Sequence, residues 1–397
     1  MFSRFRLSTT NLVALISFFG QLYFFVPFIT PYLLNYNLSL AEIAGMQTML
    51  LWAMLVMEIP TGILADKLGH RWSYTVALSL AAIGEGLFLF AHDYPTFLLI
   101  QFISGTGFAF ASGSVSAIVY ASLPDDERPA RMQRAWGRVG AANHAASLLA
   151  YSVGGWIASD LSVKHMRITL VLGMLGVGIA ALLSLFLHVH PPTEHTERPK
   201  SLKLMQTGWR SIRHNPDLLR LILFSLVTNT FGAYLLVFYQ QYFLESAVSG
   251  IWFGLALGLG SLVAIGTQFH AWRLVTWFGS NRALLFVAVV PGLLYLAMAA
   301  TRNPWLAVAL FIVQWGATQM SGPLFAGLFN KHVADAARAT SLSLISLIST
   351  IYVGAVGLGL GWMSGKSLTM TFLTIGCLAL AGCLLIREPD RDVTTTP

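Results

Sequence analysis

The stretch Gly62-Ile63-Leu64-Ala65-Asp66-Lys67-Leu68-Gly69-His70-Arg71 lies between two long apolar runs and decides how the chain is read. Its glycines supply a thin helix end at Gly62 and a residue free to take positive φ at Gly69, so two helices can be joined by a tight turn. Asp66 is placed to accept charge-assisted hydrogen bonds or to face a neighbouring helix N-terminus. Lys67 and Arg71 are expected to anchor the turn at an anionic membrane surface. An ordinary basic loop accounts for the cations but not for the Gly–Asp–Gly spacing.

Outward from this turn the chain is apolar in both directions. Of its 397 residues, 56% are hydrophobic and 10% charged, and the mean hydropathy is +0.68. A soluble domain carries roughly 25% charged residues, so lipid must be the solvent over most of the surface. A bilayer core takes ~20 apolar residues per helix. Unbroken runs such as 168–187 exclude the ~10-residue alternating segments of a membrane β-barrel. The pattern predicts twelve spans, at 10–34, 42–65, 72–91, 96–123, 136–158, 167–187, 218–244, 250–275, 283–301, 304–329, 338–364 and 367–386. Met1–Leu7 is short and basic, without an A-x-A-like cleavage site, and is read as the start of an uncleaved first helix. Cys377 and Cys383 stand six apart on the last span and imply no disulfide framework.

With the N-terminus inside, twenty Lys and Arg residues fall on the cytosolic side: Arg4, Arg6, Lys67, Arg71, Arg128, Arg131, Arg134, Arg138, the six from Arg198 to Arg220, Arg273, Arg282, Lys331, Arg338, Arg387 and Arg391. Four remain outside: Lys164, Arg167, Arg302 and Lys366. This positive-inside bias predicts a multi-pass protein of a bacterial inner membrane with both termini cytoplasmic. The formal charge of +7 is therefore a topology signal, and no nucleic-acid partner is implied.

The polar stretch 188–217 divides the spans six and six, giving a bundle at 1–187, a cytosolic linker at 188–217 and a second bundle at 218–397. Pro191, Pro192 and Pro199 forbid a continuous helix there. Beyond them Leu202, Met205, Trp209 and Ile212 form the apolar stripe of a basic amphipathic helix expected to lie on the leaflet. His188, His190 and His195 lack the Cys or carboxylate partners that would complete a metal spacing, so no metal or cofactor is expected. The two bundles read as a duplication. Ala130-Arg131 before span five matches Ala337-Arg338 before span eleven, Trp156 matches Trp362, and Phe19-Gly20 matches Phe231-Gly232, at offsets of 206 to 212. Such duplication is characteristic of secondary transporters.

At the turn after span two the sequence resembles the major facilitator superfamily, whose loop there follows G-x-L-a-D-[RK]-x-G-[RK]-[RK], with His70 in the first closing basic position. A degenerate second copy stands at Trp277-Phe278-Gly279-Ser280-Asn281-Arg282. The resemblance spans the chain. It implies an all-α membrane protein of twelve helices in two pseudo-symmetric six-helix bundles, resembling the drug-efflux type of bacterial member. It also implies that Asp66 contacts the cytosolic start of span eleven and latches the closed cytosolic side, with Gly62, Lys67, Gly69 and Arg71 shaping the turn. Glu58 is assigned to the same gate with the Arg128–Arg138 cluster, Arg131 included. Two family patterns are not met. Gln101 stands where many proton-coupled members carry the arginine of R-x-x-x-G, although Gly105 is present. Ala150-Tyr151 replaces the Gly-Pro that precedes the Gly-Gly pair of drug–proton antiporters, although Gly154-Gly155 is present.

An ionisable group inside a span is costly and marks function by default. Glu85, between Gly84 and Gly86 in span three, stands well within a span and is the coupling candidate, with a proton as the possible coupling ion; facing an outer vestibule or pairing structurally is the alternative. Glu245 is expected to be solvated at an outer helix end. Gln21, Gln101, Asn143, His144, Asn229, Gln240, Gln314 and Gln319 are candidates for the substrate cavity or for interhelical glue, worth ~0.6 kcal/mol each. Tyr23 and Tyr234 lead an aromatic crowd in spans one and seven. Pro27, Pro31 and Pro323 are expected to bend spans one and ten near the pathway. The absence of an intramembrane Arg or Lys disfavours phosphate and carboxylate substrates, and the aromatics favour an amphipathic or lipophilic organic one.

No phosphate loop, H-E-x-x-H or Cys/His constellation points to an enzyme, and the short loops leave no room for a nucleotide site. The expectation is a monomeric alternating-access carrier in the lipid bilayer for a small molecule, with efflux favoured. An importer or facilitator of a small metabolite, and a receptor or scramblase on the same scaffold, remain open on sequence.

Overall fold

The computed structural model describes residues 8–123, 128–187, 209–210, 212–333 and 338–385. Among them there is no strand. They divide into two compact units. The first comprises Met1–Thr196 with Ser249–Gly258, and the second Glu197–Val248 with Leu259–Pro397.

In the first unit α1 (Thr9–Gly20) is capped by Ser8 and stops at Gly20. A 3-10 turn (Val26–Phe28) and α2 (Ile29–Leu34) complete the expected first span. Then follow α3 (Leu40–Leu68), α4 (His70–Phe88), α5 (Tyr94–Ala111), α6 (Ser114–Ala121), α7 (Arg128–Ile157) and α8 (Val163–Ser184). The second unit holds α9 (Pro216–Glu245), most of α10 (Ile251–Ala300), α11 (Pro304–Gln319), α12 (Ser321–His332), α13 (Arg338–Lys366) and α14 (Leu368–Gly382). Seven helical stretches among the described residues are long and apolar enough to cross a bilayer unaided.

Three expected spans are not single helices. Span one is interrupted rather than bent. Pro27 has no N–H to offer the Tyr23 carbonyl four residues back, and that carbonyl takes the Val26 N–H at 3.4 Å instead. Span ten breaks at Met320, because Pro323 likewise has no N–H for the Gln319 carbonyl. Span four breaks between Ser112 and Gly113, where Gly113 takes φ +76° with no proline to announce it. Spans eight and nine run together as α10, turned only at Gly279 (φ +79°, ψ +163°).

The duplication is written in the backbone. Gly69 and Gly279 take φ of +85° and +79°, and Asn37 and Ala247 take +60° and +51°. Asp93 and Asn303 cap α5 and α11 through their side chains. The members of each of these three pairs are 210 positions apart. Each position lies at a helix end or in the turn between two helices, so the two halves break their helices at matching places.

In the first unit α4 packs between α5 and α8, and α1 lies against α7 and α8. Val13, Ile16, Leu78, Phe110, Ile118 and Val139 form its buried core. In the second unit α9 packs against α11, α13 and α14. Ile212 is fully buried in a cluster with Leu218, Ile222, Leu226 and Ile345, whereas Trp209 is exposed. Ile212 thus packs into protein and not onto a leaflet as expected. Leu202, Met205, the three linker histidines and the linker prolines lie outside the described residues.

Candidate functional site

The interruption of span one is the organising feature. Backbone freed from a helix at membrane depth is tolerated where it is buried in protein or lines a cavity. Between Gly20 and Val26 the chain makes only short-range bonds, from the Tyr23 N–H to the Gln21 carbonyl at 2.8 Å and from the Phe24 N–H to the Leu22 carbonyl at 3.1 Å. Gly154 of α7 makes room for it: a Cβ there would lie closer than 3.0 Å to the Phe24 carbonyl oxygen.

The segment borders a cavity of about 250 Å³ inside the first unit. Each neighbouring helix presents one face to it at helical spacing. Ser17, Gly20 and Gln21 come from α1 and its end, and Tyr74, Ala77, Leu78 and Ala81 from α4. Ser104, Gly107, Phe108 and Ala111 come from α5, and Trp136, Val139 and Asn143 from α7, with Tyr23 and Val115 completing the wall. Among the described residues the lining carries no charged side chain. Tyr151 lies beside Gln21 and Ser147, and Tyr74 beside Ser17.

Glu85 lies beside this cavity, not in its wall. Its carboxyl fills the notch left by Gly173 of α8, where a Cβ would stand closer than 3.0 Å to Oε2 and 3.3 Å from Cδ. Oε2 is sealed from solvent and has no hydrogen-bond partner.

The structure gathers Gln21, Tyr23 and Asn143 around one cavity and leaves the other candidates elsewhere. Gln101 is buried in α5 and His144 half-buried in α7, and neither belongs to the lining. In the second unit Tyr234 is fully buried, with its ring against Gly357 of α13. Gln240 is buried and donates to the Leu236 carbonyl at 2.8 Å. Gln314 is buried with both side-chain polar atoms unbonded; the neighbouring Tyr295 gives its hydroxyl to the Phe231 carbonyl at 3.3 Å. Gln319 is half-buried at the end of α11, and the Asn229 side chain lies outside the described residues. Tyr74, Phe108, Trp136, Ser17 and Ser104 were not singled out from sequence. Their i, i+3/i+4, i+7 recurrence was a usable signal, but it is shared by every buried helix face.

At the signature turn Gly69 ends α3 and His70 opens α4. Arg71 has partners within the protein. Its guanidinium donates to the carbonyl of Leu185, the C-cap of α8, and lies 5.2 Å from the Trp72 ring centroid. A cation there satisfies an orphan carbonyl and complements the helix dipole. Gly62 sits inside α3 with nothing within 4 Å of a built Cβ, so packing does not demand glycine there as the turn argument expected. Glu58, Asp66, Lys67 and Arg131 are exposed.

At the opposite helix ends each unit holds an arginine against a tyrosine. Arg167 donates to the Tyr36 hydroxyl at 3.0 Å and the Leu89 carbonyl at 3.4 Å. Arg302 donates to Thr369 at 2.7 Å and lies 5.3 Å from the centroid of Tyr242, the residue 206 positions after Tyr36. Glu245 is ion-paired with Arg302 at 3.2 Å rather than simply solvated. In the first unit, Asp93 caps α5. The Thr96 N–H, donating at 2.9 Å, holds its carboxyl below the usual carboxylate range.

Duplicated helical halves, matching helix breaks and an interrupted membrane helix around a cavity define a secondary-transporter fold. Comparison with known proteins agrees. Residues 11–358 match the Major Facilitator Superfamily, and the chain belongs to that family. Among curated relatives it is 22% identical over 202 residues to the quinolone resistance protein NorA of Staphylococcus aureus, covering 50% of each chain. The chain thus spans about half the length of the curated relatives it matches. Among solved structures it is similar to nucleoside transporter NupG, with a TM-score of 0.77 and 14% identity over 96% of this chain and 100% of that one. It is also similar to a D-xylose-proton symporter, with a TM-score of 0.74 and 16% identity over 96% of each. These structural likenesses establish the fold alone.

Proposed function

We propose that the chain is an alternating-access secondary carrier that exports a small, neutral or weakly polar aromatic compound across a bacterial inner membrane, acting as a monomer with both termini in the cytoplasm. The observation that carries this reading is the interrupted Gln21–Phe25 segment at the wall of an uncharged cavity. Tyr23, Tyr74, Phe108 and Trp136 offer aromatic faces, and Gln21, Asn143, Ser17 and Ser104 offer donors and acceptors. Drug-sized pockets run to about 300–1,000 Å³. A cavity of about 250 Å³ therefore suits a compound of one or two rings. An anion would need a cation in the wall, and the described lining residues supply none. Likeness over half the chain to a quinolone resistance protein supports export. Asp66 acts in this scheme on the change of state and not on substrate.

Binding tests the site. The purified chain is titrated with a panel of neutral bicyclic aromatics, and quenching of Trp136 is read as the difference between the native chain and Trp136→Phe. Saturable quenching that disappears in Trp136→Phe and weakens in Asn143→Ala is the expected result. Binding of panel members with neither change would place the substrate elsewhere.

A further inference from the structure

The second copy of the signature turn keeps the glycine and loses the charges. At an offset of 210 positions, Leu64-Ala65-Asp66-Lys67-Leu68-Gly69 stands against Leu274-Val275-Thr276-Trp277-Phe278-Gly279. Gly69 and Gly279 share a positive φ, so the backbone of the turn is preserved. Asp66, however, has given way to Thr276, and Lys67 to Trp277. The bonds that a carboxylate can accept at the first turn are lost at the second, and large aromatic rings stand there instead. Leu274 and Val275 pack against the buried cluster that holds Leu324 and Leu328 of α12. Beside them Phe269, Arg273 and Trp277 follow at four-residue spacing on one stripe of α10, with Trp272 alongside. The Phe269, Trp272 and Trp277 side chains face out of the protein, at 72%, 59% and 68% exposure. The Arg273 guanidinium lies 5.5 Å from the ring centroid of Trp272 and 5.9 Å from that of Trp277. Attraction to a ring face spends no N–H donor. Among the described residues the Arg273 side chain makes no hydrogen bond and no ion pair. Arg282, three residues past Gly279, is exposed as well, and the sequence from 246 to 334 holds no Asp or Glu.

We propose that this stripe binds the phosphate of an anionic phospholipid, in the leaflet that the charge count assigns to the cytoplasm. Tryptophan rings settle at headgroup depth, and here two of them hold an arginine at that depth. A guanidinium so held can meet a phosphate through two parallel N–H···O bonds. Arg282 adds a second positive charge, and no carboxylate in this stretch of sequence offsets the pair. A zwitterionic lipid offers the same phosphate but brings its own cation, which the two arginines repel. An anionic headgroup brings none, and basic residues at the surface of the leaflet attract it. A plain aromatic belt needs neither a cation among its rings nor acid-free surroundings. The bound lipid ties the Gly279 turn to the bilayer surface, whatever compound the cavity in the first unit carries.

Native mass spectrometry of the full chain tests this without a transport substrate. The protein is released from detergent with equal amounts of phosphatidylglycerol and phosphatidylcholine of the same acyl chains, and the lipids retained by the folded monomer are counted. The native chain should retain phosphatidylglycerol in preference. Arg273→Gln should lower the affinity for phosphatidylglycerol about fivefold, the worth of one cation at an anionic membrane surface, and leave phosphatidylcholine unaffected. Arg273→Lys keeps the charge without the planar fork and should fall between the two. Trp277→Leu keeps every charge and should still weaken phosphatidylglycerol binding. Arg213→Gln removes the same charge from another exposed position of the second unit and should leave binding unchanged. Equal retention of both lipids by the native chain would reduce the stripe to an aromatic belt and overturn the proposal. So would an equal loss in Arg213→Gln and Arg273→Gln, which marks diffuse attraction to a basic surface, or undiminished phosphatidylglycerol binding in Arg273→Gln or Trp277→Leu.

Discussion

Replacing Gly154 by alanine adds one methyl group to α7 opposite the Phe24 carbonyl. The new Cβ would stand closer than 3.0 Å to the carbonyl oxygen, where ordinary contact begins at 3.4 Å. The neighbour is backbone and cannot swing aside like a side-chain tip, so the interrupted segment must retreat bodily. Overpacking of this kind costs about 1–3 kcal/mol. Against it stands the gain of about 1 kcal/mol that alanine brings over glycine in a helix interior. Gly140, on the same helix, has nothing within 4 Å of a built Cβ, so Gly140→Ala keeps the gain without the clash. The difference in stability between the two variants isolates the clash, at about 1–3 kcal/mol. Heating each protein in detergent and measuring the folded, monodisperse fraction should place Gly154→Ala below Gly140→Ala by several degrees. Transport by Gly154→Ala should fall with it, since the cavity wall is displaced. Equal thermal stability with unimpaired transport would refute the argument that α7 and the interrupted segment are fitted to each other.

Arg71→Ala should leave the α8 C-cap carbonyl of Leu185 without its charged donor, at about 1.5–3 kcal/mol; faster hydrogen exchange confined to the last turn of α8 is the signature. Asp66→Asn should lower turnover more than substrate affinity in a carrier assay, and a large loss of affinity at normal turnover would remove Asp66 from the gate. The α5 cap is pH-sensitive with a defined sign. Because the Asp93 carboxyl is held below its ordinary range, its stabilisation is full above that range and is lost as pH falls through the lowered value. Protection in the first turn of α5, with the intrinsic pH dependence of amide exchange divided out, should therefore fall in acid in the native chain and stay level in Asp93→Asn.

Much of the fold was legible because membrane helices announce themselves through long apolar runs and their polar punctuation. The turn at Gly69, and its partner at Gly279, could be read because a positive φ between helices selects glycine. The interruption of span one was only half legible. Pro27 and Pro31 signal a disturbance, but whether a helix bends or opens depends on whether its neighbours leave room for the freed backbone, and here that room is left by Gly154 on a helix far along the chain. The break at Gly113 carries no proline, so nothing in the sequence announces it. In the site, Gln21, Tyr23 and Asn143 stood out as polar or aromatic groups in apolar runs. Tyr74 and Trp136 did not, because an aromatic at helical spacing looks alike whether it meets a core or a cavity. The position of Arg71 beneath the end of α8 was hidden as well, since a basic residue at a loop fits the lipid surface equally well on sequence.

The central claim is that the chain carries a small aromatic compound by switching access to a cavity. Counterflow in proteoliposomes tests it most directly: vesicles loaded with an unlabelled compound that binds the purified chain are diluted into a trace of the labelled form. The account predicts transient accumulation of label above equilibrium, abolished by Gly154→Ala and preserved in Gly140→Ala. No accumulation for any compound that binds the chain, in vesicles shown to hold folded protein, would contradict it.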